Sequence, residues 1–181
     1  MRISAGAGYA DQRTDTGLMP FHERRIYGND AYSYTNGARF YWNRWHTPRL
    51  QSLTALEIGR LKNMQRARSD IDSRLASGSL VFYTNARQYW LWGLDFYQER
   101  NGHAQSDNFN RYGGRAAWGQ EWPKGISTRV QAGLAQRHYQ TASLFSDGEK
   151  RRDTEWNTSL SLWHRALHFG GITPRLTVAY Y

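Results

Sequence analysis

Two histidines, His164 and His168, stand four residues apart in "LWHRALHFGG". On a helix that spacing brings both imidazoles to one face, where they could suggest a metal site. A second set of reactive types is more dispersed. Arginines and glutamates recur at alternate positions, as in "STRVQAGLAQR" and "TEWNTSLSL". Alternate charges on strands would line one surface and could guide an anionic or extended polar ligand. The two chemistries demand different elements, and the hydrophobic period decides between them.

The period is two. In "GISTRVQAGLAQRHY", Ile126, Thr128, Val130, Ala132 and Leu134 share one face, and Ser127, Arg129, Gln131, Gly133, Ala135 and Arg137 share the other. At helical spacing these apolar residues would scatter around the axis. In "DTEWNTSLSLWHRA", Trp156, Thr158, Leu160 and Leu162 oppose Glu155, Asn157, Ser159, Ser161 and Arg165. The same pattern sets Trp90, Trp92, Leu94 and Phe96 against Gly93 and Asp95. It sets Tyr112, Gly114, Ala116 and Trp118 against Arg111, Gly113, Arg115 and Gly119.

About nine strands are expected, near residues 2–13, 32–44, 49–62, 71–84, 88–99, 107–121, 125–139, 152–165 and 171–181. His164 and His168 then flank the short turn "ALHFGG", and no metal pair is expected. "RYGGRAAWG" has no strand-to-helix junction that could cradle a phosphate, so its glycines mark curvature or close backbone approach. No constellation of nucleophile and base emerges, and neither an enzyme nor a cofactor is expected.

Composition narrows the class. The chain of 181 residues has a mean hydropathy of −0.81, yet 15% of it is aromatic. Rings with an apolar body and a polar tip suit a boundary between two solvents. Net charge is +9, but the positives are spread along the whole chain, and nucleic-acid binding is not expected. There is no cysteine, hence no disulfide framework. No run reaches the ~18–20 apolar residues of a membrane helix, and the first fifteen residues lack the apolar core of a signal peptide.

Alternation alone fits either a soluble sandwich or a membrane barrel. Three features favour the barrel. Several segments match the ~9–11 residues of a tilted crossing, with length to spare. Aromatics gather at segment ends: Trp42 and Trp45, Trp118 and Trp122, Trp163 and Phe169. Short turns at "WHTPR", "TNARQ", "WPKG" and "RALHFGG" alternate with longer polar loops near residues 14–31, 63–71, 100–107 and 140–151. The expected fold is all-β: an antiparallel up-and-down transmembrane β-barrel, incomplete at nine strands because single-chain barrels of this kind have an even number.

Lumen-lining candidates are Arg39, Glu57, Arg111, Arg115, Arg129, Arg137, Glu155, Arg165 and Arg175. Two roles stay open for them: a basic lining that favours acidic or extended polar segments, or internal pairing of the arginines with Glu57, Glu121 and Glu155. Lipid-interface candidates are Trp42, Trp45, Trp90, Trp92, Trp118, Trp122, Trp156 and Phe169. Lys150, Arg151 and Arg152 lie in a loop where they could meet lipopolysaccharide phosphates.

"TEWNTSLSLWHRALHFGGITPRLTVAYY", with "RYGGRAAWGQEWPKGISTRVQAGLAQRHYQ" before it, resembles the C-terminal barrel of surface lipoprotein assembly modulators, the Slam family. "LWHRALHFGGITPRL" is the most specific piece, and the likeness extends more loosely back to "GARFYWNRWHTPRL". The resemblance implies a Gram-negative outer-membrane protein with a periplasmic tetratricopeptide-repeat domain before a barrel of about fourteen strands. It also implies partners: outer-membrane lipid, and a lipoprotein or secreted protein carried to the cell surface. Residues 1–181 would then be part of that barrel, without the repeat domain and without the closing strand. The rival expectations are a passive porin-like barrel and a soluble β-barrel binding module.

Overall fold

Antiparallel pairing puts directly opposed residues on the same face, so the alternation within each strand extends across its neighbours. A computed structural model of the chain describes residues 2–27, 30–64, 70–102, 107–142, 149–164, 166 and 175–180. Its strands are β1 (Arg2–Ser4), β2 (Ala7–Ala10), β3 (Thr14–Tyr27), β4 (Asp30–Thr47), β5 (Leu50–Asn63), β6 (Ile71–Asn85), β7 (Gln88–Asn101), β8 (Phe109–Glu121), β9 (Ile126–Ala142), β10 (Lys150–His164) and β11 (Arg175–Tyr180). All belong to one antiparallel up-and-down sheet, in the order β1-β3-β4-β5-β6-β7-β8-β9-β10-β11 with β2 beside β3. Among the described residues β1 and β11 do not pair with each other, so the sheet is an open, incomplete barrel.

The two faces differ sharply. On one, Leu56, Leu80, Trp92, Leu94, Leu134, Trp156 and Leu160 stand exposed, Leu94 at 74%. On the other, Ala117 and Ala135 are buried at 3% and 2%. One layer can bury small side chains on a single face only by curling toward it. The buried face is therefore the inner one, and the apolar side chains point outward.

Residues 14–31, expected to be a polar loop, instead contain β3, which pairs with β4 from Thr14–Arg44 to Tyr27–Asp30. Pro20 and the charged stretch "HERR" masked its alternation. Pro20 also explains why the single strand expected over residues 2–13 is two. Its carbonyl accepts from the Ala5 N–H at 3.4 Å, so its missing N–H faces the same neighbour. The pairing breaks there, yet β1 and β2 keep one register, with Arg2 opposite Glu23 and Ala7 opposite Leu18. They form one interrupted stave.

Short turns cluster at one end: 11–13, 48–49, 86–87 and 122–125, the last a 3-10 turn with Lys124 at φ 68° and Gly125 at φ 82°. In the first, Asp11 accepts the N–H groups of Arg13 at 2.7 Å and Thr14 at 2.6 Å. Those bonds hold the Asp11 carboxyl below its usual range. A depressed folded pKa means that the bonds stabilise the turn above the ordinary aspartate range and are lost as pH falls through the folded value. The protection of the Arg13 and Thr14 amides, relative to their intrinsic exchange rates, is expected to fall in acid, and Asp11→Ala to show that lower protection already at neutral pH.

The strands run 13–18 residues from β3 to β10, about 45–60 Å at ~3.3 Å per residue. The exposed apolar residues do not fill that length. Most of them occupy the half nearer the short turns, ending where Ile58 is followed across the outer face by Arg74, Gln98, Asn110, His138 and Arg152. Beyond that row the outer face is mostly polar, with Ile3 and Ile26 as exposed exceptions at the β1–β3 edge.

Candidate functional site

The inner face gathers the charges. Register aligns Arg39 with Glu57, Tyr97 with Arg111, and Arg111 with Arg137. One row nearer the short turns, Asp95, Gly113, Ala135 and Glu155 lie side by side on β7 to β10. Because Gly113 and Ala135 are small, the Arg111 side chain can reach both carboxylates. Its Nη1 donates to Asp95 at 2.5 Å and its Nε to Glu155 at 2.9 Å. Arg137 Nη2 meets the other Glu155 oxygen at 2.5 Å. Two guanidinium groups and two carboxylates thus form a neutral chain across four strands.

Three further inner arginines have neutral partners. Arg115 Nη2 donates to Ser79 at 3.0 Å, and Arg129 Nη2 to Gln131 at 2.8 Å. The Arg175 guanidinium lies 4.7 Å from the centre of the Trp163 ring. Glu57 pairs with Arg2 at 3.6 Å, although Arg39 is its direct cross-strand neighbour. The described inner face therefore has a neutral chain at its middle and both signs of charge around it, its acids including Asp15, Glu23, Glu99, Glu121 and Asp153. Lys150, Arg151 and Arg152, expected in a loop, instead begin β10, where Arg151 pairs with Asp153 at 2.7 Å and lies over Tyr139.

Glycine opposite a large inner residue is a recurring device. A Cβ on Gly113 would meet the Asp95 carboxylate at 2.7 Å, and one on Gly119 would meet the Tyr89 ring at 2.2 Å. These glycines are the slots into which a cross-strand neighbour folds flat. Gly119→Ala is expected to cost about 1–2 kcal/mol, read as a lower denaturation midpoint. Tyr89→Ala made together with it should recover part of that loss.

Of the expected site residues, Arg39, Glu57, Arg111, Arg115, Arg129, Arg137, Glu155 and Arg175 share the inner face. Arg165, Phe169 and His168 lie outside the described residues. Trp42, Trp90, Trp92, Trp118 and Trp156 stand on the outer face, and Trp122 is exposed in its turn. Trp45 does not join them. It sits on the inner face, its ring 5.4 Å from that of Tyr83, next to an apolar cluster of Val81, Leu91 and Ala117. Asp95, which completes the charge chain, is the inner-face residue that the candidate set missed. Its signal was its place opposite Gly113, which only the strand register reveals.

The family described as surface lipoprotein assembly modifier matches residues 1–181. The chain belongs to the surface lipoprotein assembly modifier family. It is 64% identical over 98% of its length to Surface lipoprotein assembly modifier 1 of Neisseria meningitidis serogroup B, covering 37% of that protein. It is 44% identical, over 98% of its length and 35% of the relative, to a surface lipoprotein assembly modifier of Moraxella catarrhalis. A more distant relative, 26% identical over 99% of the chain and 36% of the relative, is the hemophilin secretion modulator of Acinetobacter baumannii. The chain thus spans little more than a third of the length of these family members. No solved structure matches it.

Proposed function

We propose that the chain is part of an outer-membrane β-barrel that helps deliver lipoproteins to the bacterial surface. Its outer face meets lipid, and its inner face is part of the wall of a polar conduit. The observation that carries this reading is the distribution of side chains across one curled layer: exposed apolar residues outside, charges inside. An apolar band of that extent on a free surface in water would far exceed the few hundred Å² usual for a soluble monomer. The cargo class comes from the names of the relatives. The chain acts as a conduit, not a catalyst, and its inner face offers a polar lining of mixed charge in place of a binding pocket.

The test is deletion of the coding sequence, followed by protease shaving of intact cells to follow a surface lipoprotein. The expected result is a normal total amount of lipoprotein and loss of the shaved fraction. Restoring the gene with Arg115→Glu and Arg129→Glu should recover display only in part. Unchanged display in the deletion strain would sink the reading. Charge-selective ion conductance by the purified protein with unchanged display would favour a passive pore instead.

A further inference from the structure

At the short-turn end, the four described tight turns each carry a basic residue: Arg13, Arg49, Arg87 and Lys124. Three are built alike. Asp11, Thr47 and Asn85 accept the N–H of the residue two further on, at 2.7, 3.2 and 2.8 Å, and that residue is the arginine. The carbonyl of the same arginine then accepts from the next hairpin: Arg13 from Trp45, Arg49 from Tyr83, Arg87 from Glu121, at 2.7–2.8 Å. The backbone is pinned on both sides and the cationic side chain is left exposed. Such turns succeed one another every two strands, about 10 Å apart.

Their surroundings point to one ligand chemistry. Each cation lies just beyond the apolar outer band. Next to Arg87 and Lys124 runs an aromatic ribbon in which Trp90, Trp118 and Trp122 follow one another with ring centres 6.5 and 6.3 Å apart. Arg87 is three residues, ~10 Å, from Trp90. Between the two turns a cleft of ≈ 520 Å³ is lined by Arg87, Trp122, Lys124 and His164, with Glu121 also on its wall. Acids at this end are few, and Asp11 is committed to Arg13, Thr14 and the Tyr9 hydroxyl. At the opposite end, by contrast, basic residues have acidic partners: Arg25 with Glu23, Arg60 with Asp72, Arg151 with Asp153.

We infer that this rim is a clamp for anionic phospholipid headgroups, with Arg13, Arg49, Arg87 and Lys124 on the phosphates and the tryptophan ribbon at the boundary with the acyl chains. Aromatic rings settle at headgroup depth, and cations beside an anionic leaflet each strengthen attachment. Continuity with the apolar band favours a lipid leaflet over an acidic polypeptide, which would need no tryptophan ribbon beside the charges. The inference rests on the reading of the outer face as lipid-facing.

The test mixes the purified full chain with vesicles of phosphatidylethanolamine, with and without phosphatidylglycerol. Protease-protected strand fragments report insertion, and the affinity ratio between the two vesicle types reports the rim. The wild type is expected to insert and to prefer the anionic vesicle by roughly tenfold or more at low salt, a preference that high salt removes. The variant Arg13→Gln, Arg49→Gln, Arg87→Gln, Lys124→Gln should insert and lose the preference, whereas Arg→Lys at the three arginines should keep it. Single Arg→Gln variants, each lowering the preference by about two- to five-fold, serve where the quadruple variant does not insert. A glutamine variant that inserts and keeps the preference overturns the clamp. So does a variant whose lipid preference survives while binding of soluble polyglutamate is lost, which would assign the rim to an acidic polypeptide. A wild type that yields no protected fragments in either vesicle sinks the lipid-facing reading itself, and the clamp with it.

Discussion

Glu155→Ala is expected to lower the unfolding free energy by about 2–3 kcal/mol, because one carboxylate holds two guanidinium groups. Arg111 would keep Asp95 at 2.5 Å, but Arg137 would be left with the Phe109 ring at 4.5 Å and the Tyr139 hydroxyl at 3.4 Å. The Nε of Arg137 is already buried without a partner, so the residue has little to fall back on. Side chains in the chain are still 15–33% exposed, which keeps the expected loss below that of a fully buried pair. The measurement is the urea midpoint in detergent, followed by tryptophan fluorescence. Glu155→Gln, which retains one acceptor, should fall between wild type and alanine. Arg137→Ala in the Glu155→Ala background should recover part of the loss by removing the orphaned charge. A Glu155→Ala change below about 0.5 kcal/mol would mean that water screens the cluster and that it holds no strands together.

Leu94→Arg should be more costly still, but only in a bilayer. Leu94 is 74% exposed on the outer face, between Gly78 and Gly114, and neither glycine can shield a guanidinium. If that face meets hydrocarbon, the substitution is expected to destabilise the inserted protein by about 2–4 kcal/mol. Gln98→Arg, two rows along the same strand face and among the polar outer residues, should be nearly neutral. On a water-exposed surface both would stay within about 0.5 kcal/mol of wild type. Equal, small effects of the two substitutions in vesicles would therefore remove the lipid from the outer face.

Alternation made most of this fold legible. In the part of β9 and β10 nearer the short turns, Ile126, Val130, Leu134, Trp156, Leu160 and Leu162 point outward and, apart from Trp163, the inward residues are polar or small, so period and face coincide with the observed registers. β3 was hidden for a local reason. A proline in mid-strand normally argues against a strand, and here it is tolerated because the neighbouring stave breaks opposite it. Trp45 was grouped with Trp42 because both lie near one turn, but their odd separation of three residues puts them on opposite faces of β4. Parity, not nearness to a turn, was the informative quantity. The charge chain was less accessible. That Arg111, Arg137 and Glu155 share a face follows from parity, whereas their contact with Asp95 depends on registers across three hairpins and on small residues lying between the carboxylates.

From β4 to β10 each strand pairs only with the two strands beside it in the chain. Cohesion in such a sheet behaves like a row of links, in which each hairpin depends on its immediate neighbours and not on a shared centre. Opening should spread inward from the flanks, so amide protection is expected to be greatest near β6 to β8 and to decline on either side. The same wiring makes girth a matter of hairpin number. Adding or removing a pair of strands would change the circumference without repacking the rest, and the width of the curled sheet can vary while the chemistry of each stave stays the same.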